Sequence, residues 1–531
     1  MTLSWIGLAV VLMQAQPTAA EKLEADYVIR NVELYDGTGN PPLRGDLAVR
    51  GERIVGVGTL PELAGSPRII DGQKLVAAPG FIDLHNHSDS PITKPETRLN
   101  QNFLTQGVTT IVTGNCGGGR ADVGAYLREL EQHGAGTHVV HLIPQGSLRA
   151  AVMGEAKRPP TPNELEEMKR LTAQAMKDGA WGMSSGLIYV PSKYADQQEL
   201  TELARVVANH GGLYASHIRN EGVQLLEAIE EALEIGRAAN CPVHLSHFKA
   251  SGQAAWGLAA EGLRKVQAAR DAGQRVTADQ YPYIASSTSL AAMVVPDEYR
   301  DVERFRKALQ TPAEADWLRK EIEKAIEARS GGASLFVASY KHQPAWQGRD
   351  LATLAQQEKK SPFELVVEIQ THGGASMVHF GMEEGEVRLI MRQPFVATAS
   401  DGGAKVPDDT VPHPRNYGTF PRKIGLYAIE GQQLTLEAAI RSCSGLPADI
   451  LGMQDRGYLK PGLVADIVLF DPQTFRDTAT YEKPHQYAPG VQYLFVHGQL
   501  AIDQGKVTGK LAGRPLRSDR SKDTPDATAN R

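Results

Sequence analysis

The sequence predicts an α/β fold. It is a TIM-like (β/α)8 barrel, with a small β-sandwich built from both chain ends and an insert before the last barrel strand. Three observations lead there. Eight short apolar strands alternate with helix-like stretches through the middle of the chain. Such alternation implies a parallel sheet, and eight repeats imply a barrel. The two ends share a different texture of short strands and Gly/Pro turns. Residues able to ligate a metal recur at the ends of the middle strands, where barrels of this kind carry their chemistry.

Composition narrows the class. The 531 residues suffice for two or more structural units. Charged residues make up 22% and hydrophobic residues 41%, as in an ordinary globular chain. A net charge of -6 and a pI near 6.2 argue against nucleic acid as a partner. No apolar run reaches the length of a membrane span. Residues 3–14 are apolar and Thr18-Ala19-Ala20 resembles a cleavage site, so residues 1–20 read as a signal peptide for export to a periplasm. Three cysteines (Cys116, Cys241, Cys443) are too few for a disulfide framework.

Taken in order, residues 26–76 contain Tyr27–Ile29, Asp46–Val49 and Arg53–Val57 as strands. Residues 456–512 have the same texture, and both blocks are assigned to one composite sandwich. The barrel spans 77–455. Its strands are Phe81–Leu84, Thr109–Thr113, Val139–Ile143, Gly182–Ser185, Leu213–Ser216, Val243–Ser246, Val276–Asp279 and Phe395–Ala399. Helical stretches at 121–133, 162–178, 198–209, 222–239 and 258–272 lie between them. About 115 residues separate the last two strands, far more than a usual crossover. The charged helical run inside this gap marks an insert or lid over 290–350. The polar tail, 518–531, reads as disordered.

The strand ends carry the candidate site. His85 and His87, two apart on a strand, point to one side. Cys116 follows the second strand, His217 the fifth, His247 the sixth and Asp401 the eighth. Six ligand-type residues at equivalent positions of one barrel point to a divalent metal. Thiolate with imidazole favours Zn²⁺. Cys116, His217 and His247 form one subsite. His85, His87 and Asp401 surround a second, with Cys116 able to bridge. Zinc lowers the pKa of bound water to about 7 and polarises a carbonyl, and Asp401 is placed to accept the water proton and return it to a leaving amine. That is a hydrolase site for an amide.

The pattern Gly80-Phe81-Ile82-Asp83-x-His85-x-His87, a histidine on each of strands five and six, and an aspartate on strand eight resemble the amidohydrolase superfamily. Cys116 stands in Gly-Asn-Cys-Gly, and no bridging lysine is evident. Together with Ser-His-Ile-Arg, Ser-His-Phe-Lys, Tyr-Pro-Tyr and His-Pro-Arg-Asn-Tyr (413–417), this is similar to the N-acyl-D-amino-acid deacylases over about residues 26–515. The resemblance implies hydrolysis of N-acyl-D-amino acids, with D-dipeptides as further substrates. It implies one tight zinc on Cys116, His217 and His247 and a weak or partly filled second position. It also implies substrate contacts at Arg415, Lys249, Tyr189, Tyr281 and Ser287, with Arg415 on the α-carboxylate. The runner-up is a cyclic amidase resembling hydantoinase or dihydroorotase. Asn86 and Ser88 depart from the family pattern, and no side-chain-selecting arginine is evident over 290–330.

Overall fold

The computed structural model describes residues 22–518. The expected signal peptide over 1–20 lies outside them, as does all of the 518–531 tail except Ser518. Among the described residues no helix is long and apolar enough to cross a membrane.

Eight parallel strands form the barrel, here β1 (Phe81–Asp83), β2 (Val108–Thr113), β3 (His138–His141, continued by Ile143–Pro144), β4 (Gly182–Gly186), β5 (Leu213–His217), β6 (Val243–Leu245), β7 (Val276–Gln280) and β8 (Val396–Thr398). They pair in sequence order. The second piece of β3 carries the pairing to β4. Beyond their ends β8 and β1 exchange backbone bonds: the Asp401 N–H donates to His85 O at 2.8 Å and the His87 N–H to Gly402 O at 2.7 Å. Asp83, fully buried, braces the same seam by accepting from the Ser400 N–H (2.8 Å) and the Ser400 hydroxyl (2.6 Å).

The strands are buried along nearly all their length because each faces two layers, the barrel interior and the surrounding helices. Several of the helices start where a side chain satisfies a free N–H group. Helix Pro162–Lys177 opens with a Thr161/Glu164 capping box and Pro162 in its first turn, and Asp196 caps Gln197–Asn209. Their inner faces (Met168, Leu200, Leu203, Val207) join Val139, Met183 and Tyr214 of the strands in one core. Burying each such side chain contributes about 1.5–3 kcal/mol.

The two ends of the chain do not form two separate sheets. Strand Val76–Pro79 pairs with Tyr27–Leu34 on one side and with Ile467–Phe470 on the other, so nine strands make one continuous sheet. It curls back on itself: the Ile54 N–H donates to Leu463 O at 2.9 Å and the Ala465 N–H to Glu52 O at 2.8 Å. Ile29, Leu47 and Ile54 from one end then share a core with Ile467, Phe495 and Leu500 from the other.

The insert is larger than 290–350 and is not only helical. Strands Ala285–Ser289, Leu335–Ser339 and Ser376–Phe380 form an antiparallel sheet, with Ser376–Phe380 in the centre. Helices Val302–Leu309, Pro312–Glu327, Leu351–Glu358 and Pro362–Thr371 pack on it around Phe305, Leu318, Ile322, Leu335, Val366 and Met377. The charged helical run announces only the middle of this unit. Its first strand, Ala-Ser-Ser-Thr-Ser, carries no apolar alternation to announce it.

Candidate metal centre and substrate pocket

The loop after β2 places Cys116. Asn115 Nδ2 donates to Val112 O (2.9 Å) and Leu84 O (3.3 Å), which turns the chain back over the barrel mouth. Gly117 has φ +68°, and a Cβ there would meet Gly186 N at 2.7 Å, so only glycine follows the cysteine. Cys116, His247 and Asp401 themselves have positive φ values of 53°, 37° and 50°. Each such residue costs on the order of 1–3 kcal/mol, a strain that clusters at functional sites.

Cys116 Sγ lies 3.2 Å from His85 Nε2, 3.5 Å from His217 Nδ1 and 3.6 Å from His247 Nε2. Donors at about 2.3 Å (S) and about 2.05 Å (N) from one tetrahedral ion sit roughly 3.6 Å apart. The Cys116, His217 and His247 spacing therefore fits a single zinc. Three ligand groups lie within 4.8 Å internally: Cys116 with His217 and His247, Cys116 with His85 and His87, and Asp401 with His85 and His247. Asp401 Oδ1 stands 2.9 Å from His87 Nε2 and 3.6 Å from His85 Nε2. Burial pushes the Cys116 thiol up, but the His85 and His217 imidazoles outweigh it and hold the thiol well below its ordinary range, in the thiolate form a metal needs.

Two carboxylates that sequence reasoning missed orient these ligands. Asp279, at the end of β7, accepts from the His247 backbone N–H (2.8 Å) and from His244 Nε2 (2.8 Å), and its Oδ2 lies 3.5 Å from His85 Nδ1. Glu221 Oε1 lies 2.9 Å from His247 Nδ1, and its Oε2 is 3.9 Å from His217 Nε2. Such partners fix ring orientation at metal sites. Burial opposes ionisation of both acids, yet both are held well below the usual carboxylate range, Glu221 by Lys249 and His217, Asp279 by His85. Position at a strand end was a signal for Asp279. No sequence signal marked Glu221.

The cluster opens into a cavity of about 590 Å³, within the size range of small-molecule sites. Arg415, only 4% exposed, lies in its wall. Arg415 Nη1 is 2.8 Å from Asp401 Oδ2, and Nη2 donates to Ser287 O at 3.3 Å. Nε and Nη1 are buried without a well-formed hydrogen bond. The guanidinium carbon sits 4.7 Å over the Tyr281 ring, and the Tyr281 hydroxyl also lacks a partner. The Tyr189 hydroxyl meets Thr288 Oγ1 at 3.2 Å, and its ring stands edge-on to His217. Lys249 reaches the cavity but ion-pairs with Glu221. All eleven residues singled out in the sequence thus meet at one mouth. Asn86 and Ser88 do not line the cavity. They brace β1 to the β8 loop, the Ser88 hydroxyl accepting from the Ala404 N–H at 2.7 Å.

The amidohydrolase family model matches residues 68–502. The chain is 35% identical to a D-aminoacylase of Alcaligenes xylosoxydans xylosoxydans over 514 residues, 92% of this chain and 97% of that one. A solved N-acyl-D-glutamate deacylase of Bordetella bronchiseptica is similar with a TM-score of 0.81 and 32% identity, covering 94% of this chain and 100% of that chain. It was crystallised with zinc and a phosphonate mimic of the tetrahedral intermediate. A D-hydantoinase structure, TM-score 0.56 and 15% identity over 92% of this chain and 98% of that one, shares the fold alone.

Proposed function

This chain belongs to the amidohydrolase family, and we propose that it hydrolyses the amide bond of N-acyl-D-amino acids, releasing a carboxylate and a free D-amino acid, with zinc as cofactor. The relatives that support this cover nearly the whole chain and are a D-aminoacylase and an N-acyl-D-glutamate deacylase. The observation that carries it is Arg415: a buried guanidinium whose Nε has no partner and whose Nη1 meets Asp401 alone, in the same cavity as the Cys/His cluster. A guanidinium fork matches a carboxylate.

Cys116, His217 and His247 would hold the tight zinc; His85, His87 and Asp401 would form the weaker position. Zinc bound there supplies Lewis acidity toward a carbonyl and lowers the pKa of water to about 7. Asp401 is the general base. Burial opposes its ionisation, but Arg415 and His85 hold its carboxyl well below the usual range, so it stands ionised. A substrate carboxylate at Arg415 would share the guanidinium with Asp401 and leave Asp401 freer to accept the proton of the attacking water. The same proton can then pass to the leaving amine. Tyr189, Tyr281, Ser287 and Lys249 line the amino-acid end.

The amide at the metal site and the carboxylate at Arg415 would fix two points of the substrate, and the cavity wall, as the third, would admit the α-substituent of the D-enantiomer and exclude that of the L-enantiomer. A hydantoin ring offers no free carboxylate to Arg415, which weighs against the cyclic-amidase reading. Export to a periplasm rests on the apolar run at 3–14 and Thr18-Ala19-Ala20; a mature N-terminus determined on secreted protein tests it. The test of function is turnover of N-acetyl-D-methionine, its L-enantiomer and its α-carboxamide by zinc-loaded protein. The D-acid should be the only good substrate. Equal cleavage of acid and carboxamide would overturn the reading.

A further inference from the structure

The barrel has a second cavity at its other end. It holds about 470 Å³ and lies at the starts of β5, β6 and β7, with helix Gly445–Leu451 forming part of its wall. Leu213, Val243, Val276, Leu446 and Ile450 make that wall apolar, and Arg270 and Arg275 stand in it as cations. Arg270 donates one nitrogen to Val276 O and lies 5.0 Å over the Phe395 ring. Among the described residues no carboxylate pairs with Arg270, and the exposed Arg275 guanidinium bonds nothing. The one carboxylate in the wall, Asp449, is already held by Arg441 at 3.1 Å and by the Tyr458 hydroxyl at 2.5 Å. Two guanidiniums without an acid, beside an apolar wall, suit a carboxylate with a short hydrocarbon chain.

His244 stands between this cavity and the metal centre. Its buried ring lines the cavity, with Nδ1 at 2.9 Å from Thr277 Oγ1 and Nε2 at 2.8 Å from Asp279 Oδ2. Asp279 is the carboxylate that accepts from the His247 N–H and faces His85. Ring, carboxylate and metal ligands thus make one line of contacts through the barrel. Chemistry in such barrels belongs to the strand ends, so a ligand at the strand starts acts on the metal site and takes no part in the reaction.

We propose that the lower cavity binds a small aliphatic carboxylate, and that its occupancy strengthens zinc binding through His244 and Asp279. The carboxylate group sits on the two arginines and the chain lies against the apolar wall. An occupant fills the space into which the His244 ring would turn, and so preserves its bond to Asp279. Asp279 then keeps His85 and His247 in place. Partners of metal ligands change metal affinity about 10- to 100-fold. The coupling is reciprocal, so zinc strengthens carboxylate binding by the same factor.

Sodium hexanoate is the probe, and hexanamide is its uncharged match. Zinc affinity of the full-length protein is titrated against a zinc-buffering chelator, with and without saturating hexanoate. Hexanoate should raise it at least about fivefold, and hexanamide should not. Arg275→Met should leave turnover of N-acetyl-D-methionine and zinc affinity without hexanoate unchanged, yet erase the gain. Hexanoate acting at the zinc itself or at Arg415 would keep its effect in Arg275→Met, and that result overturns the site. Calorimetry on metal-free protein should show a hexanoate-binding event that Arg275→Met weakens at least about tenfold; its absence also overturns the site. His244→Phe keeps a ring but loses the bond to Asp279. It should bind hexanoate as the parent does and show no gain in zinc affinity, and His244→Gln, which restores a donor toward Asp279, should recover the gain. His244→Asn, too short to reach Asp279, takes the place of His244→Phe should that variant not fold. A full gain in either variant overturns the route through His244. Absent turnover would defeat the deacylase reading and leave this test standing, because it reads zinc and hexanoate alone.

Discussion

Arg415 with Asp401 at the barrel mouth, and Arg456 with Asp466 where the barrel meets the curled sheet, are built from the same residue types at the same depth. The Arg415 and Asp401 side chains are 5% and 10% exposed, and those of Arg456 and Asp466 5% and 4%. Both carboxyls are held well below their usual range against the effect of burial, Asp401 by Arg415 and His85, Asp466 by His138 and Arg456. Burial and a shifted titration therefore do not separate them. Satisfaction does. Arg456 places Nη1 on Asp466 (2.7 Å) and Nε and Nη2 on Asp455 (3.1 and 3.2 Å). Asp466 also accepts from the His497 N–H at 2.7 Å and meets His138 Nε2 at 3.2 Å. Arg415 pairs Nη1 with Asp401 but leaves Nε without a partner, and beside it Cys116 faces three imidazoles. A complete network holds a fold together; an incomplete one, on strained backbone, awaits a ligand.

Substitutions can break this comparison, the largest effect coming first. Cys116→Ala removes one of three tight ligands. Zinc by elemental analysis and activity should vanish together while circular dichroism stays native, and a variant that keeps one tight zinc per chain would refute the assignment. Asp401→Asn keeps shape but cannot accept a proton. Its kcat should fall at least about 10²-fold with tight zinc retained; near-parent turnover would move the base elsewhere, with His87 the next candidate. Asp279→Asn should weaken zinc affinity about 10- to 100-fold by freeing the His85 ring and the His247 backbone, as read by titration against a zinc-buffering chelator. Arg415→Lys keeps the charge but loses the fork, and should raise KM about tenfold with a smaller change in kcat.

Asp466→Asn should do least to turnover and most to stability. Removing one partner of a buried ion pair costs about 3–5 kcal/mol, measurable by denaturant unfolding, with kcat of the folded protein near the parent value. The pH dependence has a definite sign. A carboxyl held below its unfolded pKa of about 3.9 stabilises fully above that pH, and the stabilisation is lost as the pH falls. The variant should therefore lose stability on acidification less steeply than the parent. An unchanged acid limb would mean that Asp466 contributes nothing to it.

Local pattern determined much of this protein. Eight apolar strands with helices between them were legible because the side-chain period of a buried strand and the capping signals of a helix are written within a few residues. The ligand types at the strand ends were legible for the same reason: once the strand is placed, the residue at its end faces the mouth. Bounds resting on pairing over distance were not legible. The insert's first and last strands, Ala285–Ser289 and Ser376–Phe380, are recognisable only once they pair with each other. The two chain ends become one sheet only because Val76–Pro79 bridges them.

The same limit runs through the site. Nothing in Asn-Glu-Gly announces that Glu221 will reach His247 from another loop, and Arg300 reads like any other insert arginine until three carbonyls and a carboxylate surround it. By itself the sequence determined which chemical groups stand at the barrel mouth, because strand period and strand end are local. Only the tertiary structure decided which of those groups are already satisfied and which remain free for a ligand, because a hydrogen bond is settled by ångström distances between side chains far apart in the chain.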